Sequence, residues 1–415
     1  RMLRTSLKSI GLVAVVATSA AMFPGKSANA TNGFLGICTG AKNCGMAGAG
    51  VALPQDASSG HINPALMGRV KDQVFVSPGW FHPVRSLDRT KAVDPFNYIT
   101  EVDEKSMMEN FPEGAAGINY RLNDEMTAGL SVAGSGGMHT KYATPRSLAG
   151  SGAGETSVRY RLGHATPNLT WNPNDWSIYG VGLQIGWSDF KTNMGTNNNF
   201  IETKGANQTE TAWGLGLRIG GLWDVNEKVT IGATAATPTW FSRFAKYNDL
   251  LEGSLDTPAN GAIGVVYKVS PDTDIALDAK YIAWGAVFPM ANTPRKTSGP
   301  GGGFGWESKP VFTAGVQHRL NDTVTLRAGY NYGASPIPDD KIFANALFPA
   351  ITEHHVAAGM TYNINESWEV SASGFYAFEA EQTDDGSGDQ HSVIGEGVRV
   401  DMWQIGAQVG LSYNF

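Results

Sequence analysis

The chain is short of cysteine and of charge, and beyond its first 30 residues it lacks any long apolar run. Cys38 and Cys44 are its only cysteines among 415 residues. They form no Cys/His set with zinc spacing. Charged residues make up 17% of the chain, and 38 acidic residues outnumber 31 Lys and Arg. Such a balance lacks the basic surface through which proteins hold nucleic acid. No later stretch reaches the roughly 18 apolar residues that a membrane-crossing helix needs. Glycine is plentiful, with 51 residues, yet no glycine-rich loop stands between a strand and a helix as a phosphate cradle would. His139, His164 and His318 sit in no recognisable nucleophile–base motif, so no enzymatic role is expected. Metal, flavin and nucleotide are likewise not expected.

What is present starts with an export signal. Arg1, Arg4 and Lys8 precede an apolar stretch from Ile10 to Phe23, broken only by Thr18 and Ser19. Ala28-Asn29-Ala30 then supplies the small residues of a cleavage site. The spacing predicts a signal peptide over residues 1–30 and a mature chain from Thr31. Its apolar part is too short to span about 30 Å of hydrocarbon. Without it, 27 basic residues face 38 acidic ones. Export to an oxidising compartment favours a disulfide between Cys38 and Cys44. Closing so short a loop contributes somewhat less than the roughly 3 kcal/mol of a 15-residue loop.

The rest of the chain alternates. In the final 17 residues Trp403, Ile405, Val409, Leu411, Tyr413 and Phe415 take one side, and Gln404, Gln408, Ser412 and Asn414 the other. Successive side chains of a strand point to opposite faces. Similar runs recur around Ile118, Tyr160, Leu215, Leu277, Ala328 and Val370. Each has about the length of a tilted barrel strand. Six tight turns (Asn123-Asp124-Glu125, Pro173-Asn174-Asp175, Asn226-Glu227, Ser270-Pro271-Asp272, Asn321-Asp322, Asn365-Glu366) carry Asn, Asp, Pro and Ser, the residues of turn chemistry. Long connections near 84–112, 138–154, 191–208, 242–258, 285–309, 333–353 and 380–396 alternate with them. Six short and seven long connections give 14 strands with both ends on the periplasmic side. The expected class is all-β: a 14-stranded antiparallel transmembrane barrel over 71–415, in a Gram-negative outer membrane, its apolar face toward lipid and lipopolysaccharide.

Residues 31–70 do not alternate. Gly33, Gly36, Gly40, Gly45, Gly48, Gly50, Gly60 and Gly68 punctuate them. Backbone so rich in glycine packs closely and turns sharply. Placed inside the lumen it forms a hatch, satisfied by the wall. The run Gly45-Met46-Ala47-Gly48-Ala49-Gly50-Val51-Ala52, then Gln55-Asp56, then Asn63-Pro64-Ala65, resembles the N-terminal hatch of the FadL family. Leu326-Arg327-Ala328-Gly329-Tyr330 with Ser335-Pro336-Ile337-Pro338 is similar to a second signature of that family, at its eleventh strand and the loop beyond. The resemblance extends in layout over the whole mature chain. It implies passive transport of long-chain fatty acids or aromatic and aliphatic hydrocarbons, without a cofactor. Ligand would land on apolar outer loops, pass a lumenal pocket gated by Asn63, Pro64 and Ala65 of the hatch, and leave sideways through a kink in the third strand.

Candidate residues follow. The third strand runs Met126 to Ala133 and breaks at Gly134-Ser135-Gly136-Gly137, where three glycines weaken a ladder. The fourth outer loop carries Trp240, Phe241, Phe244, Leu250 and Leu251, an unusual apolar mass for a surface loop. Phe288, with Trp284 and Met290, adds to it from the fifth loop, and Phe343, Leu347 and Phe348 from the sixth. Arg159, Arg161, Arg218, Lys280 and Arg327, with Asp274 and Asp278, read as lumenal charges; Arg159 and Lys280 are the candidates for a fatty-acid carboxylate. A monomer is expected. The competing expectation is a diffusion porin for small polar solutes, with an open lumen.

Overall fold

The computed structural model describes residues 31–89, 102–143, 155–193, 207–292 and 303–415. The expected signal peptide lies outside them, as do parts of four outer loops. Fourteen strands form the wall: β1 (Gln73–Arg89), β2 (Phe111–Arg121), β3 (Met126–Tyr142), β4 (Thr156–Asn174), β5 (Ser177–Thr192), β6 (Glu210–Asn226), β7 (Val229–Ala236), β8 (Asn260–Ser270), β9 (Thr273–Ile282), β10 (Lys309–Arg319), β11 (Val324–Gly333), β12 (His354–Asn363), β13 (Trp368–Thr383) and β14 (Arg399–Asn414). Each pairs antiparallel with the next, and β14 pairs with β1 from Arg399–Asp88 to Asn414–Gln73. The ring of strands is closed, and the ladder is incomplete only in the upper part of the β2–β3 pair.

Asparagine makes five of the six tight turns. The Asn123 Oδ1 accepts from Glu125 N at 2.9 Å and Met126 N at 2.8 Å. Asn174, Asn226, Asn321 and Asn365 repeat the arrangement. A side chain that mimics a backbone acceptor closes the hairpin before the ladder begins. Ser270 takes this place in the remaining turn, accepting from Asp272 N at 3.3 Å.

The outer strand ends exceed the expected ones. β1 continues to Arg89 and β3 to Tyr142, inside stretches expected to be loop. In these outer halves the alternation reverses. Low on β4, Leu169 and Trp171 face out and are exposed, while Asn168 and Thr170 are buried. Higher up, Val158, Tyr160 and Leu162 are buried, and Arg159 and Arg161 take the outward side. β14 does the same: Gln404, Gln408 and Ser412 fill its inner face low down, Val400 and Met402 higher up. Below, the outside meets lipid and the inside meets the polar hatch backbone. Above the lipid the outside meets water, and the lumen is packed with apolar loops. Arg159 and Arg161 are therefore not lumenal, contrary to the expectation from alternation alone. Arg161 pairs with Asp189 on the same outer face, Arg159 Nε lies 3.4 Å from Asp189 Oδ1, and the Arg161 guanidinium lies over Trp187.

Residues 31–70 sit inside the wall. They include a short helix α1 (Gly40–Cys44) and a 3₁₀ turn over Pro64–Arg69. Cys38 and Cys44 form a disulfide that ties the segment before α1 to its end. Wall side chains take up the backbone: Ser77 accepts from Ala41 N, Asp278 from Gly50 N and Val51 N, and Asn119 donates to Met67 O and Val70 O. Two ion pairs hold opposite sides, Lys42–Glu369 on β13 and Arg69–Asp224 on β6. The first is largely buried. Removing one partner of a buried pair strands the other charge, at about 3–5 kcal/mol. Lys42→Met is expected to lower the melting point of the heat-modifiable barrel markedly, and Lys42→Met with Glu369→Leu to restore most of it, as read by unboiled gel mobility.

Candidate functional site

The outer half of the lumen is an apolar funnel. Phe241, Phe244 and Leu251 of the fourth loop are buried in it, with Leu250 half-buried at its side. Trp284 and Met290 enter from the fifth loop, and Phe343, Leu347 and Phe348 from the sixth. Trp240 and Phe288 stay exposed. The loops thus fold inward over the mouth more than they spread over the surface. Aromatic residues supply apolar area with fixed orientation. Carboxylates fasten the loops from outside the membrane zone. Asp256 accepts from Phe241 N at 2.8 Å, and burial pushes its carboxyl above the ordinary range. Asp384 accepts from Phe343 N at 2.9 Å, joining the sixth loop to the seventh, and burial raises it too.

At the bottom of the funnel stands Phe34 of the hatch, which reading the sequence missed. Its ring lies 5.2 Å from Tyr160, 4.6 Å from Trp284 and 5.9 Å from Trp306, edge-on to the first two. Gly33 before it has φ +72°, and a Cβ there would overlap Trp284. The available signal was a single aromatic set among the glycines of residues 31–36.

Below Phe34 the surroundings turn polar. A cavity of about 100 Å³ is lined by His61, Ser135, His164, Gln184, Arg218 and Lys280, among others. Lys280 and Arg218 are in the lumen as expected. Arg218 donates to Ile62 O at 3.2 Å and to Asn260 Oδ1 at 3.3 Å. The Ser135 Oγ lies 2.9 Å from His164 Nδ1 and 3.4 Å from His61 Nε2, linking the wall to the hatch. Arg327, also inward, donates to Thr361 Oγ1 at 2.7 Å.

Ser135 is the extra residue of a bulge. The β3–β4 register shifts between Gly134 and Gly136. β3 does not end there; it resumes to Tyr142. Its pairing with β2 stops at Ala115–Ala133, and above that point β2 pairs with β1 alone. The hatch fills the lower part of this seam: Leu35 pairs with Gly136, and Gly137 N donates to Phe34 O at 3.0 Å.

Asn63, Pro64 and Ala65 lie against β4, β5 and β6, on the same side of the barrel as the bulge. Asn63 Oδ1 caps the 3₁₀ turn through Ala65 N at 3.1 Å. Its Nδ2 donates to Val51 O at 2.9 Å and Gly221 O at 3.3 Å, and Thr170 Oγ1 donates to Pro64 O at 2.9 Å. A Cβ at Gly220 would overlap the Asn63 carboxamide oxygen. This stretch is an anchor of the hatch. Asn63→Ala deprives the buried Ala65 N of its acceptor and the Val51 carbonyl of a donor, at about 1–3 kcal/mol for each group left unpaired. Both Asn63→Ala and Gly220→Ala are expected to lower the melting point and to raise the frequency of open-channel events in planar bilayers.

Comparison with known proteins agrees with this architecture. The family described as outer membrane protein transport protein (OMPP1/FadL/TodX) matches residues 25–237 and 239–415. The chain belongs to this family of outer-membrane transporters of hydrophobic compounds. Among solved structures, the toluene transporter TodX of Pseudomonas putida superposes with a TM-score of 0.67 at 17% identity, covering 93% of this chain and 100% of that one. A FadL homologue of Pseudomonas aeruginosa gives 0.66 at 15% identity, with 92% and 100% covered. The Ralstonia pickettii toluene transporter TbuX gives 0.62 at 15%, with 91% and 99% covered. Among curated proteins none matches significantly by sequence. The family and the filled lumen set aside the diffusion porin.

Proposed function

We propose that the protein carries single-ring hydrocarbons or single acyl chains from the outer loops to the membrane interior, as a monomer and without chemistry on the cargo. The observation that carries this reading is the funnel that ends on Phe34. A ring of the hatch itself occupies an aromatic box against Tyr160 and Trp284. An incoming apolar molecule would take that place and so push the hatch strand off the bulge. Trp240, Phe288 and Leu250 at the rim would collect ligand, and Phe241, Phe244 and Leu251 would pass it down. A lumenal cavity of about 100 Å³ is smaller than the roughly 150 Å³ that accepts benzene. The hatch must therefore shift for a ring to advance, while Asn63, Pro64 and Ala65 hold its later turn against β4 to β6. The exit is sideways at Gly134, Ser135, Gly136 and Gly137, where β2 and β3 part. Lys280, beside Arg218, would hold a carboxylate if the cargo carries one; Arg159 lies outside the lumen and has no part in this. Residues 1–30 would be cleaved on export.

The test is uptake of radiolabelled toluene and of oleate by cells lacking their own transporter. Expression of the protein should raise uptake of at least one, and a variant with residues 134–137 replaced by regular strand sequence should lose it. Lys280→Met should reduce uptake of oleate and leave toluene unchanged. No uptake of either compound, with folded protein in the membrane, would overturn the reading.

A further inference from the structure

The seam between β2 and β3 raises a physical difficulty. Buried backbone groups need partners, and a strand deprived of its neighbour tends to find another. Along β3, the last residue paired to β2 is Ala133. The next outer connection on that side is Met107 N donating to Lys141 O at 2.8 Å. Eight steps along the strand separate the two, about 26 Å at 3.3 Å per residue. The hatch covers Gly136 and Gly137.

Above the hatch stands Arg85 of β1. It is 1% exposed, and its acceptors are neutral oxygens. Nη1 donates to the carbonyl of His139 at 2.8 Å and to Thr140 Oγ1 at 3.2 Å, both on β3. Nη2 donates to the carbonyl of Met108. The Arg85 carbonyl accepts from Ser106 N at 2.8 Å. The guanidinium lies 5.8 Å from the centre of the Phe111 ring on β2. One side chain thus joins β1, the 106–108 strap and β3 across the place where β2 turns away. Burying a cation whose direct hydrogen-bond acceptors are all neutral is costly. No side chain but arginine offers five donors in a rigid fork.

We propose that Arg85 is the positioning residue of the lateral window. It substitutes for the missing ladder, fixes the upper rim, and keeps β3 from closing onto β2 when the hatch strand withdraws. The idea rests on the sideways exit proposed above. In its absence the upper part of β3 loses the anchor at His139 and Thr140, and the window narrows or wanders. Arg85→Lys keeps the charge but cannot reach three oxygens on two segments.

Two measurements test this. The first is a distance between spin labels at Pro112→Cys on β2 and Lys141→Cys on β3, in purified barrel with the native disulfide intact. A single distance is expected with Arg85, and a shorter or broadened distribution in both Arg85→Met and Arg85→Lys. The second is uptake of toluene and oleate per folded barrel, expected to fall about tenfold or more in Arg85→Met, a change of about 1.4 kcal/mol in barrier, and partly recover in Arg85→Lys. An unchanged distance, or a lowered melting point with uptake per folded barrel intact, would reduce Arg85 to a stabilising residue and overturn the proposal. Should the parent protein move neither compound, the spin-label distances still decide whether Arg85 frames the seam.

Discussion

Hydrocarbon offers a peptide group no partner, and the arrangement of this molecule follows from that. Fourteen strands close on themselves so that the ladders are completed around the ring, β14 against β1 included, apart from the upper seam between β2 and β3. The same requirement explains the hatch. A glycine-rich segment brings many N–H and C=O groups into the lumen, and Ser77, Asn119, Thr170 and Asp278 of the wall meet them one by one. Where the ladder between β2 and β3 is interrupted, the substitutes are the hatch strand at Gly136 and the guanidinium of Arg85.

The fold was legible because turn chemistry and alternation are local. Each Asn-led turn is decided by one side chain and two amides, so the count of strands could be read directly. The hatch was visible through its failure to alternate. The disulfide followed from compartment and spacing, and Cys38 and Cys44 are bonded.

The site was less legible, for a reason that Arg159 illustrates. Alternation says which residues share a face, but not which face is inside. Low on the barrel, lipid decides that the apolar face is outward; above the lipid, the loops decide the reverse. On β4 the apolar residues change parity between Leu162 and Leu169, and this switch marks the membrane's outer boundary. Read that way, Val158, Tyr160 and Leu162 belong to the funnel and Arg159 to its exterior. Phe34 and Arg85 carried no such sign. Their roles depend on contacts with Trp284 and with Met108, far away in sequence, which only the assembled barrel brings near.

The hatch also constrains how the molecule is made. Its backbone touches wall strands from both halves of the chain, Thr170 on β4 and Asp278 on β9 among them. Closure of β14 onto β1 seals the cylinder around it. The hatch therefore reaches its full set of contacts only when both halves of the wall are in place, which makes the two a single cooperative unit.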